Sequence, residues 1–230
     1  MKIAVINGQN HKGSTYHIGK QVADKLGGEV TEFFLPRDFG NFCVGCTQCF
    51  LKSETLCPHY ERLKKITEAM DEADVLIFTT PVYVYHCTGS MKAFLDHYGY
   101  RWMVHRPEQK MFTKQAVIST AAGSGTKSAN KDIADSMFFW GVPKTYRYGV
   151  NVRATNYSGV TDELKKKIDK KTTSIANKVK KNDGKVKAGL KTKGFFFIMR
   201  MIQKSGWNEA DKNYWAERGW NGKNRPWKNT

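Results

Sequence analysis

KIAVINGQNHKGSTYHIGKQVADKL, residues Lys2–Leu26, is the stretch on which the fold turns. Lys2–Asn7 is a short apolar, β-branched run, the mark of a buried strand. Gly8–Gly13 is rich in turn formers, and Ser14 opens a pattern of helical period that reaches Leu26. Gly27–Gly28 stops the helix, because glycine enters left-handed backbone at little cost. Strand, glycine-bearing loop and helix in this order make the first half of a βαβ unit, which implies a parallel sheet.

The alternation continues outward from there. Strands are expected at Glu29–Leu35, Val75–Thr80, Gln115–Thr120 and Lys144–Val150. Helices are expected at Tyr60–Glu72, Gly89–Tyr98, Lys127–Trp140 and Asp162–Lys180, with residues 36–59 as a loop. Five strands interleaved with five helices predict an α/β domain over residues 1–182. Residues 183–230 form a C-terminal extension that opens with a Lys/Gly stretch and ends rich in Trp and Tyr. Within it a short amphipathic helix is expected at about 195–204, with Phe195, Ile198, Met199 and Ile202 as its apolar stripe.

Composition narrows the class. The chain is 40% hydrophobic and 13% aromatic, enough for a real core, so wholesale disorder is excluded. No run approaches the roughly 18 apolar residues that a membrane-spanning helix needs. The opening MKIAVINGQN lacks the charged and long apolar regions of a secretory leader, so a cytoplasmic protein is expected. The net charge is +17, unevenly spread. Residues 1–160 carry 19 Lys and Arg against 14 Asp and Glu, and residues 161–230 carry 19 against 7. The excess therefore sits in the last helix and the extension, as a solvated lysine-rich face or an anion-binding surface.

Three loops follow strands and look built for a ligand, since open parallel sheets bind at the carboxyl ends of their strands. Asn7–Thr15 (NGQNHKGST) runs into a helix whose first N–H groups and dipole favour an anion. It matches neither GxGxxG nor the Walker pattern. Thr79–Gly89 (TTPVYVYHCTG) stops its strand at Pro81 and offers aromatics as a wall. Thr120–Gly125 (TAAGSG) is small enough for backbone to approach a ligand closely. One phosphate cradle and two walls suit a mononucleotide with a planar ring.

The set NGQNHKGSTYHIGK, PVYVYHCTGSMKAFLDH and STAAGSG resembles the flavodoxin-like NAD(P)H-dependent FMN reductases, in particular the branch that includes the iron–sulfur flavoproteins. The resemblance covers about residues 1–180. It implies a three-layer doubly wound fold with a five-stranded parallel sheet in the order 2-1-3-4-5. It implies FMN as cofactor and NAD(P)H as electron donor. Carried onto this chain, it implies that Gln9, His11, Ser14, Thr15 and Tyr16 hold the phosphate. Pro81, Val82, Tyr83 and Val84 would flank ring and ribityl on one side, with Thr120, Ala121, Ala122 and Gly123 on the other. The chain departs from the pattern near the phosphate, where an arginine is usual and His11 stands instead. Arginine is always charged and clamps phosphate bidentately, whereas histidine's charge is conditional.

Cys43-x2-Cys46-x2-Cys49-x7-Cys57-Pro58 places four thiols in the loop after the second strand. Four thiolates suit a [4Fe–4S] cluster, and the resembled branch carries a compact four-cysteine motif here. Zinc also takes four thiolates, and reduced thiols without metal are the third reading. Cys87 stands apart and reads as a small packing residue.

The expected reaction takes hydride from NAD(P)H and passes electrons to a quinone-like, nitro or azo compound or a redox protein, with no catalytic side chain required. His86, His97 and His105 lie near the expected site as proton donors or structural residues. A homodimer is expected from the resemblance. Two other classes compete: a flavodoxin-like electron carrier without its own substrate, and a basic nucleic-acid-binding module supported by charge alone. The extension reads first as a packing element, then as a membrane-surface or single-strand-binding segment.

Overall fold

The computed structural model describes residues 1–228. Five strands form one sheet: β1 (Lys2–Asn7), β2 (Glu29–Phe34), β3 (Val75–Thr79), β4 (Gln115–Ala122) and β5 (Lys144–Asn151). Their order is β2-β1-β3-β4-β5 and every pairing is parallel. The flavodoxin-like arrangement and the strand order expected from the resemblance are therefore found.

Helices α1 (Ser14–Leu26), α3 (Tyr60–Glu72), α4 (Gly89–Asp96), α5 (Thr126–Phe139) and α6 (Asp162–Lys181) connect the strands or cover the sheet. Successive side chains of a strand point to opposite faces, so each central strand feeds two cores. Ala4, Ile6, Leu76, Phe78, Ala116 and Ile118 pack on one face with α3, α4 and α5 through Ile66, Met70, Phe94 and Ile133. Ile3, Val5, Ile77 and Val117 pack on the other with α1 and α6 through Val22, Leu26, Ile175 and Val179. Gly19 lets α1 lie against β3: a Cβ there would stand 2.3 Å from Thr79 Cγ2.

Residues 36–59 are not all loop. One turn of helix, α2 (Gln48–Leu51), and a 3₁₀ turn at Glu54–Leu56 organise the cysteine segment. The extension differs more. Its first helix, α7, is Leu190–Ser205, longer than the expected 195–204, and a second, α8, spans Glu209–Glu217. The expected stripe is also rotated. α7 buries Thr192, Phe196, Met199 and Gln203, while Ile198 is half exposed. The partner surface sets this rotation. Phe196 stacks on Trp215 at 4.7 Å, meets Phe112 edge-on at 6.0 Å, and Gln203 donates to the Val104 carbonyl at 2.5 Å. Met103, Phe112, Phe196, Met199, Trp215 and Trp220 together make a third core between the extension and the segment after α4. No helix among the described residues is long and apolar enough to cross a membrane.

Candidate functional site

In-register pairing of Asn7 with Thr79 and of Thr79 with Ser119 brings the carboxyl ends of β1, β3 and β4 to one level. A cleft of about 230 Å³ opens there. Its floor is fixed by bonds between loops: Gly8 N donates to the Thr79 carbonyl at 2.7 Å, and Thr88 Oγ1 donates to the Gly8 carbonyl at 2.7 Å. Thr79 Oγ1 donates to Asn7 Oδ1 at 2.7 Å, and Asn7 Nδ2 donates in turn to Glu32 Oε1 and the Phe33 carbonyl.

One corner of the cleft is the start of α1. The first helical backbone bond runs from His17 N to the Gly13 carbonyl, so the N–H groups of Ser14, Thr15 and Tyr16 have no partner within the helix. Gly13 caps the helix without a side chain, and the first turn carries no acid. Ser14 Oγ lines this corner, is buried, and has no hydrogen-bond partner. A buried hydroxyl without a partner costs stability unless something binds it. Lys12 lies over the Tyr16 ring at 5.4 Å and His11 is exposed at the rim. Donors, helix dipole and nearby cations fit the phosphate of FMN.

The cleft's other lining follows the sequence expectation in part. Gln9, His11, Ser14, Thr15, Tyr16, Pro81, Val82, Ala121, Ala122 and Gly123 all line it. Tyr83, Val84 and Thr120 do not. Thr120 is fully buried within β4 and its hydroxyl faces the Thr126 carbonyl. Tyr83 and His86 close a tight turn by two backbone bonds of 3.0 Å, which lifts Val84 into solvent. Val84 and Tyr85 hold φ of 48° and 65°, left-handed backbone that is costly for a β-branched or bulky residue. Gly125, at φ 76°, makes room beneath that turn: a Cβ would stand 2.9 Å from Val82 Cγ1. Val152, Ala154 and Thr155 close the cleft from the loop after β5 and were outside the sequence expectation. Their contribution depends on where β5 ends relative to β4, which no local pattern reveals.

A second cavity of about 520 Å³ adjoins through Gly123–Ser124. Tyr85, Lys127, Lys131, Arg147 and Asn151 line it. Lys131 is paired with Asp135 at 2.5 Å, whereas Lys127 and Arg147 have no ion-pair partner among the described residues.

The cysteine segment forms a separate cluster. Cys43 is exposed, and Cys46, Cys49 and Cys57 are half-buried. Burial pushes the Cys49 thiol up to about 11, helped by the neighbouring thiols of Cys57, Cys43 and Cys46. Four thiols have the donor chemistry of an iron–sulfur or zinc site. Two histidines stand beside Cys57. Cys57 Sγ and ring nitrogens of His59 and His97 lie within 4.8 Å of one another. His97 is buried, which lowers its pKa.

None of the three expected histidines lines the cleft. His86 faces Asp132 at 3.1 Å, His97 pairs with His59, and His105 meets Asp211 at 2.7 Å. Each is instead held by a specific partner. Cys87 is buried in the core, and burial pushes its thiol up to about 12, the state of an unreactive packing residue.

The NADPH-dependent FMN reductase family matches residues 1–153. An iron–sulfur flavoprotein of Archaeoglobus fulgidus is 33% identical over 99 residues, 42% of this chain and 48% of that protein. One of Methanocaldococcus jannaschii is 32% identical over 99 residues, 42% of this chain and 50% of that protein. The chain thus spans about half the length of these curated relatives. An azoreductase of Bacillus anthracis superposes with a TM-score of 0.58 at 14% identity, over 77% of this chain and 99% of that one. An NAD(P)H:quinone oxidoreductase of Methanothermobacter marburgensis does so with 0.54 at 17%, over 76% and 93%. At such identities the superpositions speak to the fold.

Proposed function

The chain belongs to the NADPH-dependent FMN reductase family, and from that premise we propose that it is an NAD(P)H-dependent flavin oxidoreductase. Its acceptor is a quinone-like, nitro or azo compound or a redox protein. The observation that carries the reading is the buried, unpartnered Ser14 Oγ beside the free N–H groups of Ser14, Thr15 and Tyr16. These donors bind the phosphate of FMN, with His11 and Lys12 adding charge at the rim. Pro81 and Val82 form one wall, and Ala121, Ala122 and Gly123 the other. When bound, FMN supplies the hydride and electron transfer. Lys127, Lys131 and Arg147 in the adjoining cavity attract the phosphates of the pyridine nucleotide. The exposed turn Tyr83–His86 at the mouth is where a second subunit packs in a homodimer.

The test is the absorbance spectrum of protein purified without oxygen, followed by NADH and NADPH oxidation with quinone, nitro and azo acceptors. Flavin bands and donor oxidation are expected. Protein that takes up no FMN overturns the cofactor, and loaded protein that oxidises neither donor is an electron carrier instead.

A second reading adds a [4Fe–4S] cluster on Cys43, Cys46, Cys49 and Cys57. It is supported by the Cys43-x2-Cys46-x2-Cys49-x7-Cys57 spacing and by the curated relatives' own description as iron–sulfur flavoproteins. Iron and acid-labile sulfide in anaerobic protein test it, and absence of sulfide removes it.

A further inference from the structure

The geometry points to a mononuclear metal site formed by Cys57, His59 and His97, taking one divalent cation of borderline softness such as Zn²⁺. The inference is independent of the flavin reading and competes with the four-thiolate cluster for Cys57.

His97 Nδ1 lies 2.7 Å from the Ala93 carbonyl, which can only accept, so Nδ1 carries the proton. His97 Nε2 therefore presents a lone pair. It faces His59 Nδ1 at 2.9 Å, and Cys57 Sγ completes the group within 4.8 Å. A ring N–H given to a backbone carbonyl is the support that orients and strengthens a metal-ligating imidazole. Phe39 stands edge-on to both rings, at 4.9 Å from His97 and 6.4 Å from His59, and limits their rotation.

The three donors also rest on fixed backbone. Cys57 ends the 3₁₀ turn and accepts from Tyr60 N at 2.9 Å, His59 caps α3, and His97 caps the end of α4. Spacing favours one ion over a cubane. Two Zn–N bonds of about 2.05 Å at a tetrahedral angle put their nitrogens about 3.3 Å apart, so the rings need part by only about 0.4 Å. A four-iron cluster takes thiolates at its corners and has no use for this imidazole pair.

One thiolate with two imidazoles suits Zn²⁺ and Co²⁺. On binding, Cys57 releases its proton to solvent. His59 shifts its proton from Nδ1 to Nε2 with no net loss, and His97 keeps its own on Nδ1. The fourth position is left to water.

The full chain, reduced and freed of metal, is titrated with Co²⁺. One equivalent is expected, with the visible bands of a tetrahedral site and a thiolate charge-transfer band. His97→Gln and His59→Gln should each weaken binding at least about tenfold, a conservative figure for a ligand given the 10–100-fold loss on removing a mere supporting group. Cys43→Ser should leave it within about twofold. X-ray absorption on the zinc-loaded wild type should show two imidazole nitrogens per metal, a reading that needs no variant. An all-sulfur shell, a Cys43→Ser protein that no longer binds, histidine variants that bind as tightly as wild type, or no Co²⁺ uptake would each overturn the site. Unfolding midpoints of the unloaded variants show whether the fold is intact.

Discussion

Arg106 donates Nη1 to the carboxylate of Asp211 at 2.5 Å, and that carboxylate is fully buried. His105 Nδ1 contacts its other oxygen at 2.7 Å. Arg106 also donates to the carbonyls of Cys49 and Phe50, and Asn208, the cap of α8, donates to Phe50 from the other side. The extension is thereby tied to the cysteine segment by the Arg106–Asp211 pair and by Asn208.

Removing Asp211 strands a buried guanidinium. Asp211→Ala is expected to cost about 3–5 kcal/mol of stability, the usual result of breaking a buried pair from one side. Urea unfolding measures it. Cys49 should also react faster with a thiol reagent, because its carbonyl loses its anchor. An unchanged midpoint and an unchanged thiol rate would show that the tie is idle.

Ser14→Ala separates binding from folding. Ser14 Oγ has no partner to lose, so the apoprotein's thermal midpoint should hold or rise slightly. FMN affinity should fall by roughly 10- to 100-fold, the worth of about 1.5–3 kcal/mol for a hydrogen bond to a charged group. Fluorescence titration of apoprotein reads this directly. Undiminished affinity would move the phosphate elsewhere.

His11→Arg places a permanent charge at the rim. FMN affinity should rise several-fold, because arginine is always charged and clamps phosphate bidentately. Fluorescence titration of both apoproteins compares them. Equal affinities would remove His11 from the phosphate corner.

Lys127→Ala and Arg147→Ala should act on the donor. If they meet the nucleotide's phosphates in both ground and transition states, the KM for NADPH rises about 5- to 20-fold while kcat holds. A fall in kcat with unchanged KM would contradict the assignment.

Lys114 gives the protein a pH signature. Its Nζ donates to the Asp71 carbonyl at 2.9 Å and to that of Ala73, and burial pushes it down from 10.5 to about 8. Between those values the unfolded chain binds the extra proton, so stability rises with pH through that window. Below about 8 both states are charged and the cost of burial is fully present. The gain is roughly 3 kcal/mol at most. Urea midpoints from pH 7.5 to about 10 should climb in wild type and lose that climb in Lys114→Met. Equal slopes would place the charge in solvent.

Much of this was legible in the residues alone. Lys2–Asn7 and Val75–Thr79 announce themselves as strands because both faces are buried and their apolar runs are unbroken. Ser14 marks a helix start by its neighbours, so the corner of the cleft at the start of α1 is legible before any coordinates. Thr120 shows the limit. The TAAGSG segment is legible, but β4 runs on to Ala122, so Thr120 is a buried strand residue, and which side chains face the cleft depends on strand register and not on residue type.

The sequence by itself determined the sheet, its helices and the three segments at the strand ends, because strand and helix periodicity and turn chemistry act over a few neighbouring residues. Only the tertiary structure decided the rest. It rotated α7 so that Phe196 meets Trp215 and Ile198 faces out. It set Asp211 on Arg106, 105 positions earlier, and joined His97 to His59 across 38. Such contacts depend on how separate elements pack, and no local pattern encodes which buried face will meet which.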